Sequence, residues 1–341
     1  MIFLISFVIL IKHKKMDIKT VYLGLNLRNP IVIGSSGLTD SPDKIKRLED
    51  NNAGAVVLKS LFEEQINAET HRTVNGGIND YPEAYEYIEK YTRHKVLEDY
   101  LNLIAESKDS VEIPVIASIN CVDDEEWTSF AKDIEEAGAD ALELNISVLP
   151  SDPFKDGKDI EDMHFKITEK VKKTVSIPLS VKISYYSAGL AKLIYNLSAS
   201  GNVRGITLFN RFYNPDIDIE TLKITSSNVF STPDEYTLPL RWVALLSGKV
   251  DADLAATTGI HNGISTAKQI LAGASAVHIV SAIYKNGFEY IGEIIKEFEN
   301  VMINHNFATV KDMKGKLSFH NMNYNRAYER IQFMKYFGGI T

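Results

Sequence analysis

Short apolar runs rich in β-branched residues alternate with amphipathic stretches along most of the chain. Eight runs have strand character: PIVIG (30–34), GAVVLKS (54–60), IPVIASIN (113–120), ADALELNI (139–146), IPLSVKIS (177–184), RGITLFN (204–210), ADLAATTG (252–259) and SAVHIVSAI (275–283). Between them, segments such as DDEEWTSFAKDIEEAG and ISTAKQILAGA repeat their apolar residues at helical spacing, and several close with a glycine suited to a helix C-cap. The joints NAGAVVL, EAGADALEL and LAGASAVHI each turn from helix to buried strand within a few residues. Continuously apolar strands separated by helices imply parallel pairing with both faces covered. Eight such units in 341 residues predict an α/β fold, a (β/α)8 TIM barrel, with a doubly wound open sheet as the alternative. No linker divides the chain, so residues 16–341 read as a single domain. The segment DIDIETLKITSSNVF alternates like a β-hairpin inserted over the C-terminal face of the barrel. The aromatic and basic tail KLSFHNMNYNRAYERIQFMKYF predicts a terminal helix.

The first 15 residues stand apart. MIFLISFVILI is apolar but too short to span a bilayer, and its positive charge, KHKK, follows the apolar run instead of preceding it as in a secretory signal. The favoured reading is an N-terminal extension from an upstream start, with Met16 opening the folded protein; a weak membrane anchor is the alternative.

Composition narrows the partners. With 45 acidic residues against 37 basic ones and a net charge of −8, and no basic block after residue 20, neither nucleic acid nor an anionic membrane is expected, and a small metabolite is. The lone cysteine, Cys121, excludes a disulfide framework and suits a reducing cytoplasm. The eight histidines have no metal-ligand spacing, so no metal is expected.

Barrels collect their functional groups at the C-terminal ends of the strands. Those ends carry Ser36 and Gly37, Lys59 and Ser60, Asn120, Asn145, Lys182, Asn210, Thr257 to Gly259, and Ser281. Singly, each has a bland explanation: a lysine reaching solvent, an asparagine capping a helix. Together, lysines and asparagines at the ends of apolar strands would be costly without partners, and they suit a flat, electron-rich, anionic ligand such as a flavin. The last two strand-to-helix junctions, at TTGI and VSAI, lie where barrels bind phosphate through backbone N–H groups.

The stretches NPIVIGSSG, AGAVVLKS, LELNIS, SVKIS and TTGI...ILAGASAVHIVSAI, in this order from about Pro30 to Gly287, resemble the dihydroorotate dehydrogenases, and most of all their soluble class 1 branch. The resemblance implies an FMN-dependent barrel that oxidises the CH–CH bond of dihydroorotate to orotate in pyrimidine biosynthesis, working as a cytoplasmic homodimer. It places Ser36 and Gly37 along the flavin, Lys59 at its pyrimidine edge, Lys182 at the ring or ribityl chain, and Thr257, Thr258, Gly259 and Ser281 at the phosphate. Ser60 and Asn120 complete the cofactor set, and Asn145 and Asn210 match asparagines that hold substrate.

The departures fall mainly on the substrate side. Three residues after the strand-end asparagine the family carries its base, cysteine or serine, followed by proline and a second asparagine; here those positions are Val148, Leu149 and Pro150. Valine cannot take a proton. Ser147 and Ser151 flank the gap, and Ser147 is the candidate base beside Lys59 as the other candidate catalytic residue. In NGGINDYPEAYEYI, Asn79, Tyr81 or Glu83 could enter the site from a substrate loop, Asn79 being the candidate substrate ligand, or YPEAYEYI is a turn and the start of a helix. Thr258 and Val280 stand where the family has glycines. Three readings follow: dihydroorotate oxidation with a substitute base; FMN redox chemistry on a different dihydropyrimidine-like substrate; or a non-catalytic flavin-binding barrel. No NAD fingerprint or iron–sulfur ligand set is present, so the electron acceptor is expected to be a small molecule or a further partner.

Overall fold

Each of the eight predicted runs forms a parallel strand. The computed structural model describes residues 16–62, 82–120, 124–322 and 326–329. The barrel strands are β3 (Ile31–Ile33), β4 (Ala55–Val57), β6 (Val115–Asn120), β7 (Ala141–Ile146), β8 (Leu179–Ile183), β9 (Gly205–Leu208), β12 (Asp253–Thr257) and β13 (Ala276–Ile279). They pair in the order β4-β3-β13-β12-β9-β8-β7-β6, and a β4–β6 pairing closes the ring, so the barrel is chosen over the open sheet. A two-residue strand, β5 (Leu61–Phe62), extends the rim by pairing with the end of β6.

Alternation along the strands divides the side chains into two cores. One set, including Ile31, Ile33, Val56, Leu142, Leu144, Val181 and Ile206, packs outward against the helices. The other set, Val32, Ala55, Val57, Ile116, Ala141, Ala255 and Ala276, fills the lower interior of the barrel. Four of those seven are alanines, which leaves room for a plug. The plug is an N-terminal hairpin absent from the sequence reading, β1 (Thr20–Tyr22) and β2 (Leu25–Leu27), which buries Tyr22, Leu23 and Leu27 against this set. Its two-residue turn has positive φ at both Leu23 (58°) and Gly24 (79°), the conformation that matches strand twist in tight hairpins. Leucine is an unusual choice there. It is held because its side chain is buried and its backbone N–H donates to Asp253 Oδ2 at 3.0 Å. Gly205 accommodates the plug: a Cβ at that position would lie 2.3 Å from Leu23 Cδ2.

The inserted hairpin forms as expected, with β10 (Pro215–Asp218) antiparallel to β11 (Lys223–Ser226). The segment after it is strapped down by Arg211, whose guanidinium donates to the carbonyls of Val229 and Asn228 and to Glu235 Oε2, each at 2.9 Å. PEAYEYI opens the long helix Pro82–Ser110, in line with the helix start expected for that stretch. Of the tail, residues 316–322 turn where the sequence predicts a helix, Arg326–Glu329 are helical, and the rest lies outside the described residues. The chain turns at Gly315, where φ is 74°, and carries the Phe319 N–H to the Ala244 carbonyl before the short helix Arg326–Glu329.

Candidate active site

The upper interior of the barrel is polar because the same alternation that buries alanines below brings Ser118, Glu143, Ser180, Thr207 and His278 inward above them. Thr207 Oγ1 donates to Glu143 Oε2 at 2.8 Å and lies 3.3 Å from the Tyr22 hydroxyl, so the plug is tied to the polar layer. Asn145 and Lys182 are register partners on β7 and β8, Lys182 and Thr207 on β8 and β9, and Thr257 and His278 on β12 and β13.

Above this layer opens a cavity of about 250 Å³. Of the residues singled out in the sequence, Lys182, Asn210, Thr257, Thr258, Gly259 and Ser281 line it together, joined by Ser35, Arg211 and His278, which the sequence reading missed. A second cavity of about 210 Å³ adjoins it, sharing Phe209, Asn210, Arg211, Thr257 and Thr258 and adding Tyr185. The Tyr185 hydroxyl donates to that of Tyr186 at 3.0 Å, and this bond, with burial, pushes its pKa up to about 12. Asn145 stands behind Asn210: the Asn210 amide donates to Asn145 Oδ1 at 2.6 Å. A larger recess, about 540 Å³, lies at the other end of the barrel around Leu23, Arg204 and Asp251, away from the strand ends where barrel chemistry gathers.

The remaining singled-out residues sit around the rim. Ser36 folds its hydroxyl onto the Gly34 carbonyl at 3.1 Å, and Gly37 packs under Tyr284, so it is Ser35 that reaches the cavity. The Ser35 hydroxyl accepts from the Ser60 N–H at 2.8 Å, and the Ser60 hydroxyl lies 2.7 Å from that of Ser118. Lys59 is exposed, with its N–H on the Thr39 carbonyl at 3.2 Å. Asn120 ends β6, half-buried and in register with Phe62. Ser147 is half-buried just past β7; Val148 leans on the core and its carbonyl accepts from the Ser184 hydroxyl at 3.1 Å, while Leu149 and Pro150 are exposed. Asn79 and Tyr81 lie outside the described residues, as does the side chain of Glu83.

At the far end, Thr258 and Gly259 both take left-handed backbone, φ 78° and 76°. Gly259 has no alternative, since a Cβ there would lie 2.1 Å from the Tyr236 nitrogen. The segment after the inserted hairpin rests against this end: the Ser231 N–H donates to Ser281 Oγ at 3.0 Å, and its hydroxyl lies 3.0 Å from His261 Nε2. Burial raises Glu235, but the Arg211 guanidinium and the Thr232 N–H outweigh it and hold the carboxylate below its ordinary range, so the strap stays charged on both sides.

Residues 17–302 match the family model described as dihydroorotate dehydrogenase. The chain belongs to the dihydroorotate dehydrogenase family. Among curated relatives it is similar to the protein named dihydroorotate dehydrogenase B (NAD(+)), catalytic subunit, from Pyrococcus furiosus, 28% identical over 314 residues that cover 88% of this chain and 98% of the relative. Proteins of the same name from Thermoplasma volcanium, at 28% over 311 residues (88% and 98%), and Methanothermobacter thermautotrophicus, at 27% over 309 residues (87% and 97%), match nearly as well. Members of the dihydroorotate dehydrogenase family are expected to hold a flavin, and the donor set of this cavity fits one. Lys182 supplies a cation, Asn210 and Ser35 supply polar edges, and the fully buried His278 reaches the cavity wall with neither ring nitrogen bonded to a described residue. The signal for His278 was present in SAVHIVSAI as a polar residue at an inward-facing strand position; Arg211 carried no such signal. Among the described residues, no three His, Cys, Asp or Glu side chains are grouped to hold a metal ion, and no helix is long and apolar enough to cross a membrane.

Proposed function

We propose that this protein is an FMN-dependent oxidoreductase that oxidises the CH–CH bond of dihydroorotate to orotate, a step of pyrimidine biosynthesis. The observation that carries the reading is the Asn145–Asn210 pair beside Lys182 at the mouth of a barrel of this family. Bound FMN supplies the two-electron acceptor. Lys182 places positive charge at the cavity, Asn210 presents its amide to the substrate with Asn145 fixing its orientation, and Thr257, Thr258, Gly259 and Ser281 form the end that takes the phosphate. Ser36, Gly37, Lys59, Ser60 and Asn120 complete the cofactor's surroundings from the rim, and Asn79 is a further substrate ligand. Ser147 takes the proton in place of the family's base, because Val148 has no group that can.

A second reading keeps the cofactor and changes the substrate to another dihydropyrimidine-like molecule. Val148 and the 53%-exposed Leu149 favour it, since they replace the base and leave an apolar rim. In both readings residues 16–341 form one flavin-binding domain, cytoplasmic and homodimeric. The relatives are named catalytic subunits of an NAD+-linked enzyme, which supports a second, electron-transferring subunit as the acceptor.

The test is the visible spectrum of the purified protein followed by anaerobic addition of dihydroorotate. Bleaching of a bound FMN supports the first reading. A yellow protein that bleaches only with another dihydropyrimidine supports the second, and a colourless protein that refuses added FMN removes both. A chain beginning at Met16 should bind FMN as the whole chain does.

A further inference from the structure

Among the described residues, His278 is the one histidine enclosed within the barrel, 2% exposed on β13, in register with Thr257 on one side and Val32 on the other. Its Nδ1 lies 4.0 Å from Glu143 Oε2, beyond hydrogen-bonding distance, and the Tyr22 ring meets it edge-on at 6.0 Å, presenting no acceptor. Neither imidazole nitrogen has a partner among the described residues, and neither does Glu143 Oε1. Two polar groups left without partners at such depth are costly, and of the two it is His278 that lines the cavity, with Glu143 behind it. The ring is uncharged at neutral pH: burial depresses its pKa to about 4, the neighbouring Glu143 pulling it back upward and Lys182 pushing it further down. A neutral imidazole offers one donor and one acceptor, which is what the edge of a heteroaromatic ring with alternating N–H and carbonyl groups requires.

Resting on the flavin reading above, we propose that His278 is a cofactor-binding residue, hydrogen-bonding the heteroaromatic ring bound in the cavity from the barrel interior, with Glu143 behind it. Position 278 thereby acts on the ring from the side opposite the solvent-facing rim.

The experiment compares wild type, His278→Gln and His278→Leu stripped of FMN and titrated with it, reading the dissociation constant by flavin fluorescence quenching and the midpoint potential by dye equilibration. His278→Leu should bind FMN more than fivefold more weakly than wild type, and His278→Gln, which keeps a donor and an acceptor, less than fivefold. An affinity within fivefold of wild type for His278→Leu, with an unchanged potential, would overturn the proposal and leave the flavin reading standing. Failure of wild type itself to take up FMN would overturn both. Should His278→Leu not fold, 15N-histidine spectra of wild type decide: the imidazole signal missing from His278→Gln must shift on adding FMN, and a signal that does not move rejects the contact.

Discussion

Asn210 donates its side-chain amide to Asn145 Oδ1 across 2.6 Å, joining the ends of two strands that are not neighbours in the sheet. The bond passes over the end of β8, whose Lys182 shares the cavity wall with Asn210, while Asn145, in register with Lys182, stands behind. Asn145 is 7% exposed and has no other side-chain partner among the described residues, which makes it a support for Asn210.

Breaking that pair should therefore act through orientation. Asn145→Ala leaves the Asn210 amide unheld, a loss of about 1–3 kcal/mol, or roughly 5- to 150-fold in substrate affinity. Asn210→Ala should cost at least as much, and the double variant little more than Asn210→Ala alone. Flavin-reduction kinetics with dihydroorotate measure all three; additive losses would mean the two side chains act independently.

The two lysines should separate. Lys182 lines the cavity, whereas Lys59 is exposed on the rim. Removing a positive charge near the reduced, anionic form of the ring weakens it by roughly 1.4–3 kcal/mol, about 30–60 mV for a two-electron couple. Lys182→Met should lower the midpoint potential by that amount, and Lys59→Met by clearly less because water screens it. Equal shifts would place Lys59 at the ring after all.

The missing base gives a test by gain and by loss. General-base help is worth about 100- to 10,000-fold, so Ser147→Ala should reduce dihydroorotate oxidation within that range if Ser147 is the substitute. Val148→Cys should recover only part of the family's chemistry, because Leu149 and Pro150 still offer no second amide. An inert wild type that gains activity with Val148→Cys would move the native substrate outside dihydroorotate.

Acid should destabilise the fold through its buried histidines. His278 is neutral in the folded state with a pKa of about 4, below the unfolded value near 6.5, so the unfolded chain binds the extra proton first. Its contribution is fully present above pH 6.5 and is lost as pH falls toward 4, on the order of 3 kcal/mol. His164, depressed by burial, adds to the same slope. Urea unfolding between pH 7 and 4 should show this fall, and His278→Gln should flatten it; an unaltered slope would mean the ring gains a proton while still folded.

The plug should matter to stability more than to chemistry. Tyr22→Ala empties the lower interior beneath four alanines and should cost about 3–5 kcal/mol. Tyr22→Phe removes the hydroxyl and its contact with Thr207 and should cost about 1 kcal/mol, both read from urea midpoints. A Tyr22→Ala protein as stable as wild type would show that the hairpin is dispensable.

Local pattern was enough to locate every barrel strand, because a strand covered on both faces is mostly apolar and each run from PIVIG to SAVHIVSAI keeps its outward-facing positions apolar, with polar residues admitted only toward the barrel interior or at the strand end. It also marked Asn145, Lys182, Asn210 and Ser281, since a polar residue closing an apolar strand has few places to go. The hairpin at Thr20–Leu27 escaped notice because its strands are three residues long and its turn uses Leu23 at positive φ, a conformation held by burial of its side chain and by Asp253, 230 residues away. Ser35, not Ser36, reaches the cavity, a difference of one residue that depends on how the turn after β3 folds back onto Gly34. The Arg211 strap, the Asn145–Asn210 bond and the enclosure of His278 beside Glu143 join residues 17 to 135 positions apart. Those contacts follow from the closure and stagger of the barrel, which fix which strand ends face each other; side-chain periodicity within a strand says only which way each residue points.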